Sequence, residues 1–326
     1  MGGVGLVARL IREAEVDALL TMDDAIAAVR ELSLAQGETG LVEEPRRRLR
    51  TSGAILSDLF AEHPTLGLIG GKVYVVTKGG GVRFLVQVFS QQDGRLLGLI
   101  EGNRLGQLRT GAASAVATDV LANPDASRFG MIGAGYQAQS QLEAIARVRH
   151  LEEAHVYARN RERLQAFCRS MSERTGVTVK PAASIDEAVA GKDIVVTATS
   201  AREPVLFGSQ IEPGQHINAI GSNRLHEREL DGPAVLRAAV VVVDSRPTAK
   251  AEAGELTPLA ARGEIDAEEL PNLGEVVAGK RPGRRHHDDV TLFLSQGIAA
   301  WDLAVAATVL RRAEAEGVGQ EVDLLS

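Results

Sequence analysis

The spacing of apolar positions divides the chain into two regimes. In the first, Glu15 to Leu20 and Asp24 to Ala35 carry helical periodicity, with Ala25, Ile26, Val29, Leu32 and Ser33 near one face. Thr21 followed by Asp24 makes a capping-box pattern, and Gly37 and Gly40 end that helix. Five short strand-like runs follow, at Ala54 to Leu59, Leu66 to Ile69, Lys72 to Thr77, Val82 to Phe89 and Leu96 to Glu101. Gly70-Gly71, Gly79-Gly80-Gly81 and the hairpin signal Asp93-Gly94 punctuate them, which predicts an antiparallel meander. The basic stretch Pro45 to Arg50 reads as the wall of a site or a solvated edge.

The second regime begins near residue 109. Thr110 to Ala122 is an Ala-rich apolar helix stopped by Asn123-Pro124, with Arg109 immediately before it. Strands and helices then alternate. The strands are Arg128 to Ile132, Glu153 to Ala158, Val177 to Lys180, Asp193 to Ala198, His216 to Ile220 and Val240 to Asp244; the helices are Gln137 to Arg147, Arg161 to Thr175 and Ser184 to Ala190. These strands are short, β-branched and without polar alternation, as expected when both faces are covered, so they predict a doubly wound parallel sheet. A long amphipathic helix, Ile298 to Ala315, is expected to return to the first region and make it discontinuous.

Composition narrows the function classes. The chain has 326 residues, enough for two domains, with 44% hydrophobic and 24% charged residues, the balance of a folded globular protein. A formal charge of −7 argues against a chain-wide nucleic-acid footprint, and 3% aromatics against single-strand stacking platforms. The longest clean apolar run, Ala238 to Val243, is far short of the ~20 residues that span a bilayer. Arg9, Arg12 and Glu13 interrupt any export-type apolar stretch, so a cytoplasmic protein is the expectation. One cysteine, Cys168, excludes an internal disulfide framework and reads as a core residue. His286-His287-Asp288-Asp289 has no ligand set at a second spacing, and no metal is expected.

The strongest motif is Gly133-Ala134-Gly135-Tyr136-Gln137-Ala138, a G-x-G-x-x-A pattern directly after an apolar strand and opening a helix. Gly133 permits the tight turn, Gly135 lets backbone approach a pyrophosphate, and Ala138 allows close helix–strand packing. The helix N-terminus adds free N–H groups and a favourable dipole. At the end of the next strand an acid would pair with the ribose of NAD, whereas arginine accommodates the 2′-phosphate of NADP. The chain has Arg159-Asn160-Arg161 there, which favours NADP(H) while leaving NAD(H) open.

Lys72 is one of only six lysines and lies in a glycine-flanked apolar strand. It can pair with a carboxylate or deliver a proton to a developing amine, or it can be a strand lysine that snorkels to water. Arg47 and Arg109 are candidates for a bidentate carboxylate clamp, with Arg109 and Thr110 equally able to face phosphate.

These residues resemble the ornithine cyclodeaminase/mu-crystallin family. The matching stretches are Pro45-x-Arg47, Gly71-Lys72, Leu108-Arg-Thr-Gly-Ala-Ala-Ser-Ala-Val-Ala-Thr118 and Ile132-Gly-Ala-Gly-Tyr-Gln-Ala138. Asp193-Ile-Val-Val-Thr-Ala-Thr199, Ile217-Asn-Ala-Ile-Gly-Ser222, Arg228-Glu-Leu-Asp231 and Thr291-Leu-Phe continue the match. The resemblance implies an α/β fold: a Rossmann domain (118–296) inserted in a smaller α+β substrate and dimerisation domain (1–117 plus 297–326). It also implies a homodimer with the active site between the domains. Arg47, Lys72 and Arg109 would hold a substrate carboxylate. Thr110, Thr197, Ala198, Thr199, Gly221 and Ser222 would join the glycine turn in holding the cofactor.

Cyclodeaminases of the family carry an aspartate two residues after the glycine of the N-A-I-G block, where it handles the side-chain ammonium of ornithine. This chain has Asn223, which cannot take up that proton. The expectation is therefore an NAD(P)H-dependent imine or ketimine reductase or amino-acid dehydrogenase acting on a small amino, imino or keto acid. Lys72 and Asn223 are its catalytic candidates. The alternatives are an ornithine cyclodeaminase, forming proline and ammonia, and a non-catalytic NADPH-dependent binding protein of mu-crystallin type.

Overall fold

A computed structural model describes residues 7–40 and 42–324. The chain opens with β1 (Ala8–Ile11), α1 (Glu13–Leu19) and α2 (Met22–Thr39), followed by β2 (Glu43–Arg50) and β3 (Ala54–His63). Next come β4 (Leu68–Thr77), β5 (Gly81–Ser90), β6 (Leu96–Glu101) and α3 (Asn103–Leu121). Alternation then sets in with β7 (Arg128–Ile132), α4 (Tyr136–Val148), β8 (Glu153–Tyr157), α5 (Arg161–Thr175) and β9 (Thr178–Pro181). It continues through α6 (Ile185–Val189), β10 (Ile194–Thr197), β11 (His216–Ala219), α7 (Gly232–Leu236) and β12 (Val240–Val243). Three short helices, α8 (Arg246–Glu252), α9 (Thr257–Ala261) and α10 (Leu273–Val277), precede β13 (Thr291–Leu294), α11 (Ala299–Glu316) and β14 (Gln320–Val322).

Two compact units result. One comprises the described residues up to Arg109 and from Ile298 onward; the other is Thr110–Gly297. The first is built on a seven-stranded sheet in the order β14-β1-β6-β5-β4-β3-β2, antiparallel from β6 to β2. In register Lys72 lies opposite Leu59 and Val86, so these three share the face on which α11 packs. The buried Trp301, Leu303, Val305 and Val309 of α11 help to fill that core. Leu56, Phe60, Ile69 and Leu85 point from the opposite face.

The second unit holds a seven-stranded parallel sheet, β12-β13-β11-β10-β7-β8-β9. Alternate residues of one strand enter different cores. Val195 joins Ile217, Leu292 and Val243 on one face, whereas Ile194 and Val196 join Phe129, Met131 and Leu142 on the other. This is the α/β doubly wound arrangement with a smaller antiparallel-sheet unit that the sequence suggests.

Several boundaries differ from the sequence reading. Thr291–Leu294 is a seventh parallel strand, inserted between β11 and β12. Glu43–Arg50 is a strand although it shows little apolar alternation. Helix α3 begins at Asn103, not Thr110, because Leu105 and Leu108 continue its buried stripe; Arg109 and Thr110 therefore lie inside the helix and do not cap it. Among the described residues, no helix is long and apolar enough to cross a membrane.

Candidate functional site

In the second unit, β7 delivers the chain into the Gly133–Gly135 turn and α4 leaves from it. Gly133 has φ +121°, and a Cβ there would lie 2.3 Å from the Ala198 carbonyl oxygen, so the turn closes directly on the end of β10. Gly135 is the N-cap of α4 in an extended conformation, with no side-chain cap and no atom within 4 Å of a Cβ position. Its helix therefore presents uncapped N–H groups toward open space. Ala138 is fully buried, as its packing role requires.

A cavity of about 400 Å³ opens beside this turn, lined among others by Gly133, Ala134, Gly135, Arg159, Asn160, Ala198 and Thr199. Its donors suit a dinucleotide: backbone N–H groups for the pyrophosphate and cations beyond β8. Arg161 is not among the lining residues, and its guanidinium donates to the Ala183 carbonyl. Arg163 lines the cavity instead. Asn160 caps α5 by accepting the N–H of Arg163, the third helical residue, at 2.9 Å. A cation in the first turn of a helix opposes the macrodipole, a cost that a bound anion offsets.

The remaining cofactor candidates divide. Thr110 and Tyr136 lie on α3 and α4, and the Thr110 carbonyl accepts from Gln141 on α4 at 3.2 Å. Gln137 presents a buried side-chain oxygen with no hydrogen-bond partner among the described residues. Thr197 is fully buried, and its hydroxyl donates to Glu229 at 2.7 Å. Thr199 lines the cavity, with its N–H and hydroxyl both donating to Glu229 at 2.6 Å. Gly221 N–H donates to the same carboxylate at 2.8 Å. The Ser222 hydroxyl turns into its own loop, donating to the Glu227 carbonyl at 2.7 Å, and half-buried Asn223 follows it.

In the first unit, Lys72 on β4 meets Asp302 on α11. Its Nζ lies 2.9 Å from each carboxylate oxygen, and Arg109 Nε on α3 lies 3.1 Å from Oδ1. Asp302 has no exposed surface, and Lys72 and Arg109 are 3% and 6% exposed. Gly106 stands one helical turn before Arg109, where a Cβ would approach both Nζ and Oδ1 to about 4 Å. Phe84 faces the ammonium, whose Nζ is 5.8 Å from the ring centroid.

Electrostatics follow from this burial. Loss of hydration, reinforced by repulsion from Arg109 and Arg46, brings the Lys72 ammonium down to about 7, even though Asp302 favours its charged form. Burial also works against the Asp302 anion, but Arg109 and Lys72 outweigh it and hold that carboxyl below its ordinary value. The cluster thus carries more positive than negative charge and a lysine poised to give up its proton near neutrality.

Arg47 does not join it. A register shift between Glu44 and Arg47 follows Pro45, and Arg47 points outward, 71% exposed and paired with Glu44 at 2.7 Å. Arg46 is the buried arginine of β2, its guanidinium 6.0 Å from the Tyr74 ring centroid and close enough to depress Lys72. Sequence reasoning missed Arg46, Arg163, Glu229 and Asp302. Asp302 carried a signal: it is the one acid in the run Ile298 to Val309, whose other residues are apolar apart from Thr308. Cys168 is buried on α5 and its thiol is pushed up to about 11, consistent with an inert packing residue. His287 and Asp288 form an exposed contact at 3.3 Å.

The sequence model of the "Ornithine cyclodeaminase/mu-crystallin family" matches residues 10–317. A Delta(1)-pyrroline-2-carboxylate reductase of Bacillus cereus is 36% identical over 240 residues, 73% of this chain and 74% of the relative. The fold is also similar to Thermococcus litoralis Delta(1)-pyrroline-2-carboxylate reductase in complex with NADH and L-proline. That match has a TM-score of 0.90 and 31% identity, covering 96% of this chain and all of the other. An archaeal alanine dehydrogenase dimer with bound NAD gives a TM-score of 0.90 and 32% identity, covering 97% and 99% of the two chains.

Removing the Asp302 charge leaves two buried cations without their counter-ion. Asp302→Asn is expected to lower stability by roughly 3–5 kcal/mol, read from the denaturant midpoint. Adding Lys72→Met should recover part of that loss; a single variant as stable as the parent would show that the carboxylate is not the counter-ion.

Proposed function

The chain belongs to the ornithine cyclodeaminase/mu-crystallin family, and from that premise we propose that it is an NAD(P)H-dependent reductase of small α-imino acids. The same chemistry run in reverse is amino-acid dehydrogenation. The observation that carries this reading is the buried cationic cluster Lys72, Arg109 and Arg46 around Asp302. Its surplus positive charge suits a substrate carboxylate, and its lysine suits proton delivery to an imine nitrogen. The dinucleotide, when bound, supplies the hydride for the imine carbon. Balance is complete: C=N gains hydride at carbon and a proton at nitrogen, giving the amine.

Each residue has a defined task. Arg109 and Arg46 hold and orient the carboxylate. Lys72 hydrogen-bonds the substrate and gives up its proton, and Asp302 fixes the ammonium in place and favours its charged form. Asn223 offers a neutral amide to the substrate. Because it cannot accept the side-chain proton of ornithine, it sets the chain apart from cyclodeaminases. In the second unit the Gly133–Gly135 turn and the first turn of α4 receive the pyrophosphate, while Arg159 and Arg163 favour the 2′-phosphate of NADP(H) over NAD(H).

The outward face of the antiparallel sheet supports a homodimer. Leu56, Phe60, Ile69 and Leu85 are each more than a third exposed on one face, although an antiparallel sheet facing water usually places polar residues there. One structural neighbour with the same fold is a dimer.

Three outcomes are expected. Purified protein should oxidise NADPH with cyclic ketimino acids such as Δ1-pyrroline-2-carboxylate, or with pyruvate plus ammonia or methylamine, and should form no proline from ornithine. Its reductive kcat should fall as pH rises above about 7, because the protonated Lys72 is the donor, and Asp302→Asn should move that limb to lower pH. Turnover of ornithine, or cofactor binding without any turnover, overturns the reading. Second, replacing Arg159 and Arg163 by Ala should raise KM for NADPH about tenfold or more and leave KM for NADH nearly unchanged. Equal effects on both cofactors would remove the 2′-phosphate role. Third, Phe60→Asp should convert a dimer into a monomer in sedimentation velocity; a wild-type monomer would sink that assignment.

A further inference from the structure

We propose that Glu229 is a positioning residue that sets the nicotinamide side of the dinucleotide site without touching the ligand. The inference rests on the dinucleotide reading above and concerns how the unit shapes one half of it. Sheet order provides the frame. The glycine turn follows β7, Arg159 follows β8 on one side, and Thr199 and Gly221 follow β10 and β11 on the other. A pyrophosphate on the turn therefore sends the 2′-phosphate half over β8. The hydride-bearing half goes over the ends of β10 and β11, the carboxyl ends where open α/β sheets bind ligands.

Those two ends are tied by one side chain. Glu229 Oε1 accepts the Thr199 N–H and hydroxyl, each at 2.6 Å; Oε2 accepts the Thr197 hydroxyl at 2.7 Å and the Gly221 N–H at 2.8 Å. Glu229 has no exposed surface, so it acts through Thr199 and Gly221. There is no slack around it. A Cβ on Gly221 would fall 2.4 Å from the Thr199 carbonyl and 2.5 Å from the Glu229 carboxyl carbon. The glutamate is itself held from behind: its N–H donates to Glu255 at 2.9 Å, and its carbonyl accepts from the Val205 and Leu206 N–H groups.

The arrangement requires two accepting oxygens, which the Glu229 side chain supplies although burial raises its carboxyl above the ordinary value. Each oxygen serves one hydroxyl, which can reverse and accept, and one backbone N–H, which cannot. A glutamine of the same size leaves one backbone N–H facing its amide donor, whichever way it flips. Either Thr199 or Gly221 must then move.

The test separates the two halves of the ligand. Calorimetry on the full chain measures Kd for NADPH and for 2′,5′-ADP, the half that lies over β8, alongside the melting temperature. Glu229→Gln is expected to weaken NADPH about tenfold, as loss of a buried donor's partner does, and to leave 2′,5′-ADP within about twofold. Thr197→Val, which removes one hydroxyl donor, should shift NADPH in the same direction by about threefold and decides the matter if the glutamine variant does not fold. Unchanged NADPH affinity, or equal losses for both ligands, overturns the positioning role. A parent protein that binds neither ligand overturns the dinucleotide reading itself.

Discussion

The first unit is organised around a carboxylate that has no access to water. Asp302 collects Lys72 from the middle of a sheet and Arg109 from a helix, and each of the three charges is buried. Removing ions from water costs several kcal/mol apiece, and a well-packed apolar trio is often as stable or more so. Stability alone does not account for such a cluster. Its excess of positive charge, and the fall of Lys72 toward neutrality, are properties an apolar trio would lack, and both suit recognition and protonation of an anion that carries an imine.

The second unit uses a buried carboxylate for another purpose. Glu229 accepts four hydrogen bonds from the ends of two strands and works on the protein's own backbone. Asp302 faces cations; Glu229 faces N–H and O–H dipoles. In one unit the acid sets protonation, and in the other it sets geometry.

The parts legible in the sequence were those written in local pattern. The glycine turn, the helix after it, the alternation of β-branched strands and the glycine-punctuated meander all follow from neighbours within a few residues, and the structure contains each of them. Long-range pairings were not legible. Nothing near Lys72 announces an acid far along the chain. Arg46 and Arg47 show the finest limit. A register shift after Pro45 decides which arginine enters the core face, and a one-residue slip in a strand exchanges inside for outside. Arg161 and Arg163 differ in the same way, by the direction each leaves the first turn of α5.

The separation of 230 positions between Lys72 and Asp302 has a consequence for synthesis. Domains fold as units while the chain emerges from the ribosome. The contiguous Thr110–Gly297 unit can therefore assemble while the sheet that carries Lys72 still lacks α11, the helix that fills its core and supplies its counter-ion. Until then that sheet exposes apolar surface and an unneutralised lysine, so the nascent protein depends on α11 both to close a core and to settle a charge.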